Sequence, residues 1–193
     1  MYLLDQDYKY YSRPFPHIVI DNAMPEDVAQ YMLKNFPKCG MFKKGASEHE
    51  KNNWQHRGNY DSDPVFKQFA EINQEVKAKE FILTLDHIFS QNTDNLKITP
   101  LTFRDQMPKN PKECLRDWHL DDLNKKYHGL LYLGTGDAGE LEMKNIYDGE
   151  EKSYEYRHNR FILWLNNEES LHRFFTSVNQ FRKTISIALE FTD

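Results

Sequence analysis

The sequence is poor in cysteine, in long apolar runs and in net charge. Its 193 residues include two cysteines, Cys39 and Cys114, which are too few for a disulfide framework and lack metal-site spacing. A net charge of −5 with no long block of one sign offers no basic surface, which disfavours nucleic acid as a partner. No stretch reaches the roughly 18 apolar residues of a membrane span. We therefore expect a cytoplasmic protein that does not bind membranes.

Aromatic side chains, in contrast, are abundant. The chain contains 13 phenylalanines, 11 tyrosines and 3 tryptophans, while 28% of its residues are charged. This composition is typical of a globular protein, and the length allows one domain with a sizeable core. We predict a single domain over residues 1–193. It would have a helical N-terminal part with an edge strand and a polar loop over residues 1–92, and a strand-rich core over residues 93–193.

The N-terminal part alternates strand, helix and loop signals. The apolar run at Pro14–Asp21 predicts a strand that either lies at a sheet edge or begins at its prolines. Pro25 then opens a helix. The segment Lys38–Asp63 is polar and rich in glycine and asparagine, which predicts a long loop. Asp63 followed by Pro64 predicts the start of a further helical region, which continues as one helix or as two.

The C-terminal part is a series of short runs rich in strand-forming residues. The last run alternates, with Ile185, Ile187 and Leu189 on one face and smaller side chains on the other. Strands separated by turns after a helical region predict a mainly β fold. The candidates are an antiparallel sandwich or a jelly roll (double-stranded β-helix) with the helices packed on one sheet. The runs are Leu96–Arg104, Leu115–Asp121, His128–Leu133, Glu140–Lys144, Tyr154–Tyr156, Arg160–Leu165 and Thr184–Phe191.

A histidine and a carboxylate lie two residues apart at the end of one predicted strand. In an extended segment His119 and Asp121 project from the same face, where they could bind one side of a metal ion. An isolated His-x-Asp pair is weak, because chance alone gives roughly 0.6 such pairs in a chain of this composition. Asp122 is excluded as a ligand by the same alternation, which points it away from His119.

Two downstream residues give the His-x-Asp pair a context. His172 follows an apolar strand and a polar turn, and Arg182 comes ten residues later. Arg182 shares the small-residue face of the last strand with Thr184. Because a guanidinium on a face that packing keeps small is poorly solvated, Arg182 requires an anion.

In these motifs the sequence resembles the Fe(II)- and 2-oxoglutarate-dependent oxygenases, in particular the prolyl-4-hydroxylase-like branch. The resemblance covers most of the chain, and the order and spacing of its elements are more specific than His-x-Asp alone. Thr184 stands where that branch usually has serine, and Ala138 where it has glycine. The matching elements are Pro14–Asp21, His119-Leu120-Asp121, Leu131-Tyr132-Leu133, Ala138-Gly139-Glu140-Leu141, Asn159–Leu163, His172 and Arg182-Lys183-Thr184.

The resemblance implies a role for each of these residues. His119, Asp121 and His172 would bind Fe(II), and Arg182 would bind the far carboxylate of 2-oxoglutarate. Thr184 and Tyr132 would form hydrogen bonds with the same co-substrate. The implied reaction consumes O₂ and releases succinate and CO₂ as a substrate is hydroxylated, with ascorbate as a candidate reductant. The implied substrate is a peptidyl proline, another amino acid or a small molecule, and the oligomeric state is left open.

Other interpretations stay open from the sequence. The chain could be a jelly-roll binding module that retains a metal site without catalysis. A zinc site that activates water is a weaker alternative because it leaves Arg182 unexplained. Tyr132 could be a core tyrosine, and Arg104 is a further candidate for the pocket lining. His17, His128 and His158 are interpreted as packed or surface residues.

Overall fold

The structure of the chain is a computed structural model. No helix among the residues it covers is long and apolar enough to cross a membrane. It describes residues 3–36, 53–57, 63–70, 75–99, 102–106, 114–134, 139–175 and 182–192.

The helices lie in the N-terminal half of the chain. A short 3-10 helix covers Leu3–Asp5, and α-helices cover Glu26–Lys34 (α1), Pro64–Ala70 (α2) and Glu75–Ile88 (α3). The apolar run after Asp63 therefore forms two helices, one of the two alternatives that the sequence left open.

The start of α2 follows the rule for helix N-termini. Asp63 Oδ1 accepts hydrogen bonds from the backbone N–H groups of Val65 and Phe66, at 2.9 and 3.1 Å. These donors have no partner inside the helix, so the aspartate satisfies them. The cap confirms that the helix begins at Pro64.

The strands form two antiparallel sheets. The larger sheet has eight strands in the order β1-β2-β10-β7-β12-β5-β3, with β4 also paired to β12, and the smaller has the order β6-β11-β8-β9. The two sheets with helices on one side form the predicted jelly roll. The strands are Lys9–Tyr11 (β1), His17–Asp21 (β2), Asn53–Arg57 (β3), Leu96–Ile98 (β4), Thr102–Gln106 (β5), Cys114–His119 (β6), Lys125–Leu133 (β7), Glu140–Asn145 (β8), Glu151–Glu155 (β9), Arg160–Leu165 (β10), Ser170–Phe175 (β11) and Arg182–Phe191 (β12).

Several strands differ from the sequence prediction. β2 is an interior strand rather than an edge strand, because β1 pairs with its outer side and the two prolines precede it. The predicted polar loop contains β3, which pairs with β5. Strands from the first 92 residues thus complete the large sheet. The run predicted at Leu96–Arg104 is divided into β4 and β5, and β11 was not predicted as a strand.

Two apolar clusters lie on opposite faces of the large sheet. Ile185, Ile187 and Leu189 of β12 pack in a cluster with helix residues such as Phe81 and Leu85. The opposite face joins side chains of the small sheet in the second cluster, which includes Leu130, Tyr132, Leu141, Met143, Ile162, Trp164 and Phe174. The alternation of β12 therefore separates a face toward the helices from a face toward the small sheet.

A buried carboxylate connects α3 to β7. Asp86 accepts hydrogen bonds from the Tyr127 hydroxyl at 2.6 Å, from the Thr93 hydroxyl at 2.8 Å and from the Thr93 backbone N–H at 2.8 Å. These donors satisfy a carboxylate that would otherwise be costly to bury. The contact fixes the first half of β7 against the helices, and β7 carries two residues of the site described below.

Candidate active site

The pairing of β6 with β11 brings two histidines together. His119 and His172 are cross-strand partners, and their ring centroids are 4.2 Å apart. The Nδ1 atom of His119 lies 2.7 Å from the carbonyl oxygen of Asp117, and that of His172 lies 3.1 Å from the carbonyl oxygen of Ser170. A ring nitrogen that faces a carbonyl oxygen carries the proton, so Nε2 of each neutral ring is the nitrogen that carries the lone pair.

Asp121 completes a cluster of three metal-binding groups. It lies two residues after the end of β6 and is 8% exposed. Its Oδ1 atom is 4.0 Å from Nε2 of His119, and its Oδ2 atom is 3.5 Å from Nε2 of His172. One ligand atom from each residue lies within 4.8 Å of the other two. Two imidazole nitrogens and one carboxylate on one side of an ion are the donor set of non-haem Fe(II) sites.

The state of His172 fits a metal ligand. Its side chain is fully buried, and its Nε2 atom has no hydrogen-bond partner in the segments that the structure describes. Burial lowers the pKa of His172 to about 3, an effect that the nearby Asp121 carboxylate opposes. The ring is therefore neutral near pH 7, with a lone pair directed at the other two groups. A buried acceptor without a donor is costly, and a bound cation would satisfy it.

A third histidine, His128, contacts the cluster from β7. Its Nδ1 atom forms a hydrogen bond with Oδ2 of Asp121, and its Nε2 atom lies 2.8 Å from the Ser186 hydroxyl. The sequence predicted only a packed or surface residue here, and the link to Asp121 was missed. A signal was present, because period-2 alternation places His128 on the same face of β7 as Tyr132.

Arg182 is buried without a carboxylate partner among the described residues. It is 1% exposed, and its Nη2 atom donates a hydrogen bond to the Tyr132 hydroxyl at 2.9 Å. Within the described part of the chain, its Nε atom and the buried Thr184 hydroxyl have no hydrogen-bond partner. Thr184 is the cross-strand partner of Tyr132, so the three side chains lie together. A buried guanidinium without an anion is unfavourable, and a ligand carboxylate would compensate it.

Aromatic rings join the arginine to the histidines. The Phe174 ring lies 4.4 Å from the guanidinium of Arg182, and its centroid is 5.6 Å from that of His172. Trp164 packs on the other side, with ring centroids 4.9 Å from His172 and 4.8 Å from His128. This apolar surrounding strengthens the electrostatic interactions of the charged groups within it. Burial also raises the pKa of the Tyr132 hydroxyl, although the neighbouring Arg182 opposes the shift.

The structure brings together the six residues that the sequence singled out. Asp122, excluded as a ligand, is exposed, and its Oδ1 atom accepts a hydrogen bond from the backbone N–H of Asn124. His17, for which packed and surface positions were both left open, is buried, with Nε2 2.6 Å from the Tyr154 hydroxyl. The six residues are His119, Asp121, Tyr132, His172, Arg182 and Thr184.

Sequence comparison finds no relatives, whereas structure comparison finds many. No protein-family profile matches the chain, and no curated protein is similar to it in sequence. A prolyl-4-hydroxylase from Pseudomonas putida aligns with 92% of this chain and 93% of its own, with a TM-score of 0.66 and 14% identity. The viral collagen prolyl hydroxylase of Paramecium Bursaria Chlorella virus-1, in its 2-oxoglutarate complex, aligns with 92% of this chain and 96% of its own (TM-score 0.59, 13% identity).

A third similar structure contains a peptide. It is a prolyl hydroxylase from Trichoplax adhaerens in complex with a hypoxia inducible factor peptide fragment, covering 91% of this chain and 83% of its own (TM-score 0.56, 13% identity). At such low identity these similarities concern the arrangement of strands and helices. The chain therefore has the fold of the Fe(II)/2-oxoglutarate-dependent oxygenases, in the form found in prolyl-4-hydroxylases.

Proposed function

We propose that this protein is an Fe(II)- and 2-oxoglutarate-dependent dioxygenase that hydroxylates a peptidyl prolyl or other amino-acid-like substrate. One observation carries the proposal. A His-Asp-His cluster and a buried guanidinium without a carboxylate partner among the described residues contact the same aromatic ring, that of Phe174. A metal site alone would need no such cation, whereas a dicarboxylate bound to the metal would need both.

The cluster fits Fe(II) in its donor set. His119, Asp121 and His172 would hold the ion from one side, which leaves positions for two atoms of 2-oxoglutarate and for O₂. When bound, the ion and its co-substrate supply an oxidation in which one oxygen atom of O₂ converts a substrate C–H into C–OH, while the other enters succinate and CO₂ is released.

Arg182 would bind the carboxylate of 2-oxoglutarate that is far from the metal. Its planar fork suits a carboxylate, and the Tyr132 hydroxyl already holds one of its nitrogens at 2.9 Å. The Thr184 hydroxyl, which is buried and has no hydrogen-bond partner among the residues described above, would donate a further hydrogen bond to the same carboxylate. These groups would orient the co-substrate before reaction.

His128 would orient the metal-binding carboxylate. By forming a hydrogen bond with Oδ2 of Asp121 it would orient the carboxylate, whose Oδ1 atom lies 4.0 Å from Nε2 of His119. The rings of Trp164 and Phe174 flank His172 and reduce the access of water to it. The chain would thus supply the metal ligands, a residue that orients Asp121, and aromatic rings that limit the access of water.

Turnover of the co-substrate tests the proposal. Purified protein with Fe(II), ascorbate and 2-oxoglutarate should form succinate, at least in slow turnover without substrate. His119→Ala and Arg182→Gln should each abolish or greatly reduce succinate formation. His87→Ala and Arg13→Gln, which alter an exposed histidine and an exposed arginine, are the matched controls. Unchanged succinate formation in His119→Ala would contradict the ligand assignment.

A further inference from the structure

A pocket of about 280 Å³ adjoins the candidate site on the same face of the large sheet. Its lining comes mainly from β5, β7 and β12 and is largely polar. The polar lining residues include Thr102, Arg104, Lys125, His128, Ser186 and Glu190.

The position of the pocket follows from the register of β12. Thr184, Ser186 and Ala188 share one face, so the lining continues along the strand beyond Thr184 and away from Arg182. His128 joins the pocket to the metal-binding cluster, because one ring nitrogen bonds Asp121 and the other bonds the Ser186 hydroxyl. A molecule in the pocket would therefore lie beside the cluster without occupying the surroundings of Arg182.

The pocket carries opposite charges that do not neutralise each other. Lys125 and Glu190 are cross-strand partners, yet they form no ion pair with each other. The Oε1 atom of Glu190 lies 3.4 Å from Nζ of Lys97, and Lys125 has no carboxylate partner among the described residues. Arg104, the cross-strand partner of Thr184, adds a second cation on the β5 side. Cross-strand opposite charges would ordinarily pair. Here Lys125 stays apart from Glu190, so the pocket presents an ammonium group and a carboxylate, and the carboxylate also contacts Lys97 through Oε1.

We propose that this pocket binds the molecule that is oxidised, and that this molecule is a free α-amino acid. Its carboxylate would bind Lys125 and Arg104, and its ammonium group would bind Glu190. The volume lies just below the roughly 300–1,000 Å³ of pockets for drug-sized ligands, which suits a small molecule better than a peptide segment. This inference rests on the proposed function, since the side chain of the amino acid would present its C–H bond to the metal.

Binding measurements with matched compounds test this inference. The protein would be loaded with Mn(II) and 2-oxoglutarate under nitrogen, and titrated calorimetrically with the proteinogenic L-amino acids, their N-acetyl derivatives, their amides and alanine-flanked tripeptides. At least one free amino acid should bind, and its N-acetyl derivative, its amide and its tripeptide should each bind at least about tenfold more weakly. Such selectivity arises because each capped form leaves one pocket charge unpaired.

Substitutions at Glu190 and Lys125 test which residue binds the ammonium group of the ligand and which binds its carboxylate. Glu190→Gln should lower the affinity for the free amino acid about tenfold and leave the affinity for the N-acetyl derivative unchanged. Lys125→Gln should lower the affinities for the free amino acid and for the N-acetyl derivative alike, and leave the affinity for the amide unchanged. Lys144→Gln and Glu151→Gln, which break an ion pair on the small sheet, should have no effect.

The outcomes separate this inference from the proposed function. If the loaded protein binds 2-oxoglutarate but no free amino acid, or binds tripeptides as tightly as free amino acids, the pocket assignment is wrong and the proposed function stands. If 2-oxoglutarate itself does not bind, the proposed function fails and this inference fails with it. Retained 2-oxoglutarate affinity in Lys125→Gln and Glu190→Gln would show that these variants are folded.

Discussion

Nδ1 of His128 bonds Oδ2 of Asp121, and the opposite nitrogen of the same ring bonds the hydroxyl of Ser186. The contact joins three elements, since Asp121 follows β6, His128 lies on β7 and Ser186 lies on β12. Both partners in the contact are buried. The orientation of a proposed metal ligand is therefore set by the large sheet, although the two histidines of the cluster belong to the small one.

Removing this contact should weaken metal binding. In His128→Ala, Asp121 loses the donor that fixes its carboxylate, and the affinity for Fe(II) or Mn(II) should fall about 10- to 100-fold. An anaerobic metal titration measures the change, with His87→Ala as the exposed-histidine control. Equal metal affinity in a folded His128→Ala protein would show that Asp121 is held without this histidine.

Replacing Arg182 by an apolar side chain should separate stability from binding. Because the guanidinium is buried without an anion among the described residues, Arg182→Met should leave the ligand-free protein as stable or raise its free energy of unfolding by about 1 kcal/mol. 2-Oxoglutarate at 100 times its Kd should stabilise the metal-loaded wild-type protein by about 2.7 kcal/mol and the variant not at all. Urea unfolding with and without 2-oxoglutarate measures both effects. The prediction would be contradicted if Arg182→Met were less stable than the wild-type protein and were still stabilised by 2-oxoglutarate.

Loss of the Tyr132 hydroxyl should affect the co-substrate more than the fold. Tyr132→Phe retains the buried ring but removes the hydrogen bond to Arg182. The guanidinium would then be less well oriented, and the affinity for 2-oxoglutarate should fall by about 1 kcal/mol, or roughly fivefold. Calorimetry gives the affinity, and Tyr147→Phe, at an exposed position, is the control. An unchanged affinity for 2-oxoglutarate would show that the Tyr132 hydroxyl has no role in binding and that the residue serves only in packing.

A buried histidine that is not part of the candidate site should make stability depend on pH. Burial lowers the pKa of His17 to about 4 from its ordinary value of 6.5. The unfolded chain therefore binds the proton more readily between these values. The stability from this residue is fully present above about pH 6.5 and is lost as pH falls toward about pH 4, by up to about 3 kcal/mol.

Urea unfolding across this range measures the slope. His17→Asn should remove that part of the pH dependence, whatever its effect on stability at neutral pH, and the exposed His87→Asn should not. Identical slopes for the wild-type protein and His17→Asn would assign the acid sensitivity to other groups.

Much of the site could be predicted because its residues lie on regular strands. Alternation on β12 placed Arg182 and Thr184 on the face opposite the apolar residues, and the large sheet has that arrangement. The spacing of His119 and Asp121 required only an extended chain. The helix cap at Asp63 likewise depends on neighbours within three residues.

The features that were missed depend on contacts between distant segments. β11 begins with a polar Ser-Leu-His-Arg sequence, and it is a strand because β6 and β8 pair with its two edges. β3 lies in a polar segment and is a strand through its pairing with β5. The role of His128 arises from the approach of β7 to the end of β6. Alternation along β7 gives only the face on which His128 lies, not its contact with Asp121.

The most direct test of the account is the binding of 2-oxoglutarate under anaerobic conditions. In the proposed site, a metal and Arg182 hold opposite ends of the same dicarboxylate. Calorimetric titration should therefore detect tight binding to Mn(II)-loaded wild-type protein, and binding at least tenfold weaker to metal-free protein and to metal-loaded Arg182→Gln. Equal affinity with and without metal, or no binding to the metal-loaded wild-type protein, would contradict the account.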